Sequence, residues 1–338
     1  IKKREVVYLE DQDRKEIKNA LKKIEKIGVI PVIKLEKIED TLPLAEALYE
    51  GGLPCAEITF RTDICATAIR LMKDKYPEMI IGAGTVLTKI QVDEAIKAGA
   101  EFIVSPGFNP EIVEYCNKKN IIITPGCSNP TDIEQAIKYG LDVVKFFPAE
   151  SAGGIKMIKS LSAPYSKIKF IPTGGINSEN LKSYLDFDKV IACGGTWMVP
   201  TELIAEKNFT KIKILVKKTV ENMLDFSLAH VGLNMKSSSE AENIVNKFEN
   251  IFGFKKEENP NSIFAGSYIE VMRFPYLGKN GHIAIFTNFI ERAVAYLERN
   301  SIKINKETTK YDSNGKLGAV YLQDEIGGFA IHLVQKVR

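Results

Sequence analysis

No apolar run in this chain approaches the roughly 18 residues that a transmembrane helix needs, so a membrane span is not expected. The opening residues, Ile1-Lys2-Lys3-Arg4-Glu5, are charged and lead into no apolar segment, which argues against a signal peptide. An excess of one charge is also missing. Lys and Arg number 46 against 43 Asp and Glu, a formal net charge of +3, and the two signs are interspersed, so no basic stripe points to nucleic acid or an anionic membrane. Cysteine is sparse. The five, Cys55, Cys65, Cys116, Cys127 and Cys193, are odd in number and lack C-x-x-C spacing, and they read as reduced thiols of a cytoplasmic protein. What remains is 45% hydrophobic and 26% charged, an ordinary globular composition in a chain long enough for two domains. Aldehydes, keto acids and sugar phosphates stay open as ligands.

The stretch that organises the rest is Val143-Val144-Lys145-Phe146-Phe147-Pro148, a β-branched and aromatic run that reads as a buried parallel strand with one lysine inside it. Alternation along a strand puts Lys145 on the face of Val143 and Phe147. An ammonium among apolar neighbours is poorly solvated, which favours the free amine that attacks carbonyls. A lysine that snorkels out of the strand end, or pairs with a carboxylate, is the alternative on this run alone.

Similar short runs recur at 28–34, 55–61, 80–86, 102–106, 121–125, 142–148, 169–173 and 190–193. Helical spacing fills gaps between them, at 41–49, 88–98, 110–118, 130–139, 153–161 and 180–185, after an opening helix at 14–26 with Ile17, Leu21 and Ile24 on one face. A last helix is expected over 209–224. Eight strands alternating with helices predict a closed (β/α)8 TIM barrel over an open sheet.

In such a barrel the chemistry lies at the strand ends. Glu57, Thr59 and Arg61 stand at alternate positions of the second strand, so a carboxylate, a hydroxyl and a guanidinium are expected on one face. Glu57 then reads as a proton shuttle and Arg61 as a clamp for a substrate carboxylate, with a structural Glu57–Lys145 ion pair as the alternative. Thr173-Gly174-Gly175-Ile176 and Gly194-Gly195-Thr196, after the seventh and eighth strands, fit the phosphate cradle of this fold.

Together with Ala56-Glu57-Ile58-Thr59-Phe60-Arg61-Thr62, Gly82-Ala83-Gly84-Thr85-Val86, Ser105-Pro106-Gly107 and Lys145-Phe146-Phe147-Pro148-Ala149-Glu150, these motifs make residues from about 15 to 225 resemble the 2-keto-3-deoxy-6-phosphogluconate / 2-keto-4-hydroxyglutarate aldolase family. The resemblance implies a trimeric class I aldolase in which Lys145 forms the Schiff base and Glu57 is the acid and base. It places the substrate carboxylate near Arg61 and Thr85, the phosphate near Thr173, Gly174, Gly175, Gly195 and Thr196, and Pro106 and Phe147 beside the substrate. Thr196 stands where many members have serine. Substrates are 2-oxo acids and sugar phosphates, with no cofactor for the aldol step. Mainly decarboxylating oxaloacetate through the same imine is the alternative activity.

All three histidines lie past residue 225. Ala229-His230-Val231-Gly232-Leu233 and a helical 239–252 ending at Gly253 are echoed by Gly281-His282-Ile283-Ala284-Ile285 and a helical 288–299. This twofold repeat of βαβββ type, over 227–335, resembles the vicinal oxygen chelate superfamily that includes glyoxalase I. That resemblance implies a metal site of His230, Glu270, His282 and His332 for Zn, Ni, Fe or Mn, with His332 where glyoxalases generally carry glutamate. A binding or assembly module without chemistry is the competing reading. The expected domains are 1–225 and 226–338.

Overall fold

Short apolar segments separated by helices build the first part of the molecule. In the computed structural model, which describes residues 11–337, α1 (Asp11–Ile27), β1 (Val29–Ile33), α2 (Thr41–Glu50), β2 (Cys55–Thr59), α3 (Cys65–Lys75), β3 (Ile80–Gly84), α4 (Lys89–Lys97) and β4 (Phe102–Ser105) come first. Then follow α5 (Pro110–Lys118), β5 (Ile122–Pro125), α6 (Pro130–Lys138), β6 (Val143–Phe146), α7 (Gly154–Ser162), β7 (Lys169–Pro172), α8 (Leu181–Leu185), β8 (Cys193–Gly195), α9 (Thr201–Ala205) and α10 (Phe209–Leu224). Residues 1–5, read above as charged and leaderless, and the side chain of Ile17 lie outside what is described. Of the stripe on α1, Ile24 is buried and Leu21 half-buried.

Helix starts follow local chemistry. Thr88 and Gln91 cap α4 reciprocally, while Asn109 and Asn129 accept from Glu111 N–H and Asp132 N–H ahead of a proline in the first turn of α5 and α6. Helix α3, which the spacing analysis passed over, buries Cys65, Ala68, Ile69 and Met72 at helical intervals. Strands β2 to β6 are buried along their whole length, as expected when helices cover a parallel sheet.

All the strand pairs here are parallel. Six strands run in the order β5-β4-β3-β2-β1-β8, and β6 pairs with β7. Single bridges, Gly126 with Lys145, Phe170 with Val190 and Thr173 with Gly194, link the two sets. The eighth strand sits later than its apolar residues suggest. Ile191 N–H still bonds Phe170 O on β7, and only from Cys193 onward does the chain pair with β1, so a Cys-Gly-Gly segment becomes the strand. Pairing partners outrank propensity there. This is an α/β arrangement of parallel strands covered by helices.

The chain divides between Asn222 and Met223 into two compact units. The second unit is β-rich: β9 (Ser227–Asn234), α11 (Ser238–Phe252), β10 (Lys256–Glu258), β11 (Ser262–Ala265) and β12 (Ile269–Met272), then β13 (His282–Thr287), α12 (Ile290–Arg299), β14 (Ile304–Tyr311), β15 (Leu317–Leu322) and β16 (Ala330–Gln335). They form one sheet in the order β10-β11-β12-β9-β13-β16-β15-β14. Ser237 caps the start of α11, and Gly253, at φ 70°, ends it in the left-handed conformation that glycine allows. Ala241 and Val245 of α11 pack with Ile263, Ala265 and Val271 of the sheet, and each large side chain removed from water there contributes roughly 1.5–3 kcal/mol. Among the described residues no helix is long and apolar enough to cross a membrane.

Candidate active site and a histidine cluster

Lys145 Nζ lies 3.4 Å from Glu57 Oε1, and the two residues are 7% and 3% exposed. Strands β6 and β2 are not neighbours in either sheet, so the pair spans the interior rather than a strand ladder. The Phe147 ring centroid is 5.2 Å from the same nitrogen. A charge-assisted bond normally closes to about 2.7–2.9 Å. The contact here is loose, and burying two charges for one loose bond is poor structural value.

The glycine of the third-strand motif has a steric role. A Cβ built on Gly84 would lie 2.2 Å from Glu57 Oε1, so the carboxylate rests where a side chain would otherwise stand. The next residue, Thr85, is half-buried at φ 56°, a left-handed conformation that threonine rarely adopts. Arg61 departs from the expected strand face. The strand stops at Thr59, whose hydroxyl donates to Ile33 O, and Arg61 follows two residues on in a bend, exposed. Alternation therefore does not carry it inward. Pro106 is exposed, with its carbonyl against Gly126, where a Cβ would sit 2.0 Å away. Phe147 is half-buried.

The loops after β7 and β8 meet. Thr173 bridges Gly194, and its Oγ1 is buried without a hydrogen-bond partner among the described residues. Gly174 and Gly175 follow at φ 100° and 79°, and the bare Cα of Gly195 makes room for the Trp197 ring. Thr196 is exposed at the end of this edge. An unpaired buried hydroxyl beside glycine backbone at positive φ is the kind of lining an anion site has. All five cysteines are buried and none is in a disulfide among the described residues, and burial pushes the Cys116 and Cys127 thiols up to about 12, so neither is a ready nucleophile.

The family model for KDPG and KHG aldolase matches residues 17–215. The chain belongs to this family. That makes the protein an enzyme of the lyase class. The 2-dehydro-3-deoxy-phosphogluconate aldolase of Treponema pallidum is 46% identical over 198 residues, 59% of this chain and 94% of that protein. The KHG/KDPG aldolase of Escherichia coli K12 is 38% identical over 193 residues, 57% of this chain and 91% of its own length. Among solved structures, the KDPG aldolase from Legionella pneumophila, with pyruvate captured at low pH as a covalent carbinolamine intermediate, is 40% identical with a TM-score of 0.57, covering 59% of this chain and 97% of that one.

Beyond the aldolase match, the second unit gathers the four residues singled out in its sequence. Glu270 on β12, His230 on β9, His282 on β13 and His332 on β16 occupy four adjacent strands of the sheet. In the register Gly232 faces both Glu270 and His282, and Ala284 faces both His230 and His332, so the four side chains share one face. Glu270 Oε2 is 3.1 Å from His230 Nε2 and 2.9 Å from His282 Nε2, and those two nitrogens are 3.2 Å apart. The three imidazoles offer nitrogens within 4.8 Å of one another.

Two supports had no signal in the sequence. Ser262 Oγ donates to Glu270 Oε1 at 2.6 Å, and the Tyr321 ring stacks on His332 at 4.5 Å. Burial alone would raise the Glu270 carboxyl, but hydrogen bonds from His230, His282 and Ser262 outweigh it and hold the group well below the usual range. Burial, together with the neighbouring His282 and His230, pushes the His332 imidazole down to about 3, so it stays neutral.

Proposed function

We propose that the aldolase unit is a Schiff-base enzyme that cleaves 2-keto-3-deoxy-6-phosphogluconate to pyruvate and glyceraldehyde 3-phosphate, and 4-hydroxy-2-oxoglutarate to pyruvate and glyoxylate. The observation that carries this reading is the buried, loosely paired Lys145 beside Glu57. The relatives named for these substrates support it, as does the pyruvate carbinolamine of the Legionella enzyme. A closed (β/α)8 barrel within 1–225, assembled as a homotrimer, belongs to the same reading; the bridges joining β5 to β6 and β7 to β8 favour closure.

In this mechanism the free amine of Lys145 adds to the C2 carbonyl, and loss of water gives an iminium. The C4 hydroxyl then gives its proton to Glu57 while the C3–C4 electron pair flows into the iminium, which releases the aldehyde and leaves an enamine. Glu57 returns the proton to C3, and water frees pyruvate and the amine. Thr85 and Arg61 take the substrate carboxylate, and Thr173, Gly174, Gly175, Gly195 and Thr196 take the phosphate, with Pro106 and Phe147 alongside. The unpartnered Thr173 hydroxyl supports the second placement. Borohydride with pyruvate should add one pyruvyl unit at Lys145, and Lys145→Ala should lose both the label and cleavage. Labelling of another lysine overturns the assignment.

We further propose that 226–338 is a pair of βαβββ modules of vicinal oxygen chelate type, holding one divalent ion (Zn, Ni, Fe or Mn) through His230, Glu270, His282 and His332. The residues fit such an ion. Donors bound at about 2.0–2.1 Å to one ion stand roughly 3 Å apart, which matches the spacing of His230, His282 and Glu270. His282 Nδ1 and both ring nitrogens of His332 are buried with no partner among the described residues, so this pocket has an unmet need for a binding group. A bound ion would supply Lewis-acid polarisation of substrate oxygens. Ser262 fixes the Glu270 carboxylate, and the stacked Tyr321 fixes the plane of His332. With His332 in place of a glutamate, no carboxylate base stands at that strand, so glyoxalase chemistry is not part of the proposal. Dialysis against each metal should leave one ion per chain, and absence of uptake by the intact protein overturns the site.

A further inference from the structure

Glu150, the last residue of the sixth-strand motif, does more than end it. Its carboxylate accepts a hydrogen bond from the hydroxyl of Tyr184, a residue of α8 that is only 1% exposed. Two glycines make room for this side chain. A Cβ on Gly175 would lie 2.6 Å from Glu150 Cγ, and one on Gly154 would lie 3.1 Å from Glu150 Oε1 and 3.2 Å from the Tyr184 hydroxyl. The backbone of the same residue reaches the loop after β7. Glu150 N–H donates to Gly174 O at 3.0 Å, Ala149 N–H donates to Thr173 O at 2.8 Å, and Asn180 Nδ2 donates to Gly175 O at 3.0 Å.

These bonds set the direction of the turn. In a planar trans peptide the C=O and N–H point opposite ways. Pinning the Gly174 carbonyl to Glu150 turns Gly175 N–H away from it, and pinning the Gly175 carbonyl to Asn180 turns Ile176 N–H away from that side. Left to themselves, two glycines in sequence would sample many orientations. The bond to Tyr184 also occupies the Glu150 carboxylate, which would otherwise be free to swing towards an incoming phosphate and repel it.

We infer that Glu150, anchored by Tyr184, is a positioning residue that holds the Gly174–Gly175 turn with its N–H groups presented to a substrate phosphate, and so sets the preference for phosphorylated over unphosphorylated 2-oxo acids. The inference rests on the phosphate placement proposed above. Neither residue touches the reacting carbons, so the effect falls on binding of the phosphate and leaves bond cleavage alone.

The test uses the full-length enzyme with 2-keto-3-deoxy-6-phosphogluconate, 4-hydroxy-2-oxoglutarate, and inorganic phosphate as a competitive inhibitor. Tyr184→Phe and Glu150→Ala should each raise KM for the phosphorylated substrate, and the inhibition constant for phosphate, about tenfold, the effect of losing one charge-assisted hydrogen bond. The kcat on both substrates, KM for 4-hydroxy-2-oxoglutarate and borohydride trapping of pyruvate should hold within about twofold. Glu150→Gln keeps an acceptor for Tyr184 and should restore KM. If phosphate inhibits the parent enzyme but both variants keep the parent constants, the positioning role is overturned while the phosphate site stands. If phosphate does not inhibit the parent enzyme and it shows no preference for the phosphorylated substrate, the site and the inference fall together. Parallel losses on both substrates would mark a structural role only and overturn the inference as well. Should Tyr184→Phe not fold, the comparison of Glu150→Ala with Glu150→Gln decides the matter alone.

Discussion

In the aldolase unit Lys145 and Glu57 answer each other, whereas in the second unit His282 Nδ1 and both ring nitrogens of His332 have no partner among the described residues. Lys145 and Glu57 stand on non-adjacent strands of a parallel array, each the other's partner, at a distance that leaves the bond easy to break. The histidines stand on adjacent strands of one sheet face, brought together by register, with Glu270 already drawn down as an anion. The contrast is chemical. The Lys145–Glu57 pair is one amine against one carboxylate, while the cluster sets partnerless imidazole nitrogens beside a carboxylate that is already hydrogen-bonded.

The largest expected effect would separate the two. His282→Ala should abolish metal uptake by the second unit and leave aldol cleavage and pyruvate trapping unchanged, and Lys145→Ala should do the reverse. Metal analysis and trapping on the same two variants check this; loss of both functions in either variant breaks the comparison. A smaller effect is expected for Gly84→Ala, whose methyl would displace the Glu57 carboxylate. The imine with pyruvate should still form, but kcat should fall by about 10²-fold, the low end of what a general base contributes. Unaltered kcat would remove Glu57 from the proton transfers.

The mildest effect is that of acid on the metal-free protein. Below about 6.5 the unfolded chain takes up a proton at His332 that the folded form refuses until about 3, so stability falls as pH drops through that window. Glu270 acts in the same direction: its folded carboxyl is held low, the stability it lends is present above the ordinary glutamate range, and it is lost as pH falls towards the folded value. Protection factors, taken against the intrinsic exchange rate at each pH, should therefore fall in residues 223–338 between pH 7 and pH 4, more than in 17–215. Equal losses of protection in both would show that the histidine cluster is not the source.

Much of this could be read from the chain before any coordinates. The parallel strands announced themselves as short β-branched runs, and Lys145 drew attention because a lysine there breaks the apolar pattern. The three histidines were recognisable because the two repeats place them at matching positions. Other features were hidden for physical reasons. Arg61 seemed to continue the Glu57–Thr59 alternation, but a strand ends where its ladder ends, and no residue type marks that point. The start of β8 was misplaced because the apolar residues at 190–192 belong to the β7 side, while the segment that pairs with β1 is nearly all glycine. Tyr184 is 34 residues from Glu150 in a five-residue helix, and Ser262 and Tyr321 reach the cluster only through sheet register, so their partners exist only once the chain has folded.

Gly232 carries a lesson for comparing this chain with its kin. Opposite His282 in the sheet, it leaves an opening over β9 into which the imidazole leans, and a single methyl there would come within 2.0 Å of that ring. A variant could keep all four of His230, Glu270, His282 and His332 and still lose their clustering through one carbon added at position 232. A tally of those four residues alone would score such a sequence as intact, so the room left on β9 is the character to read beside them.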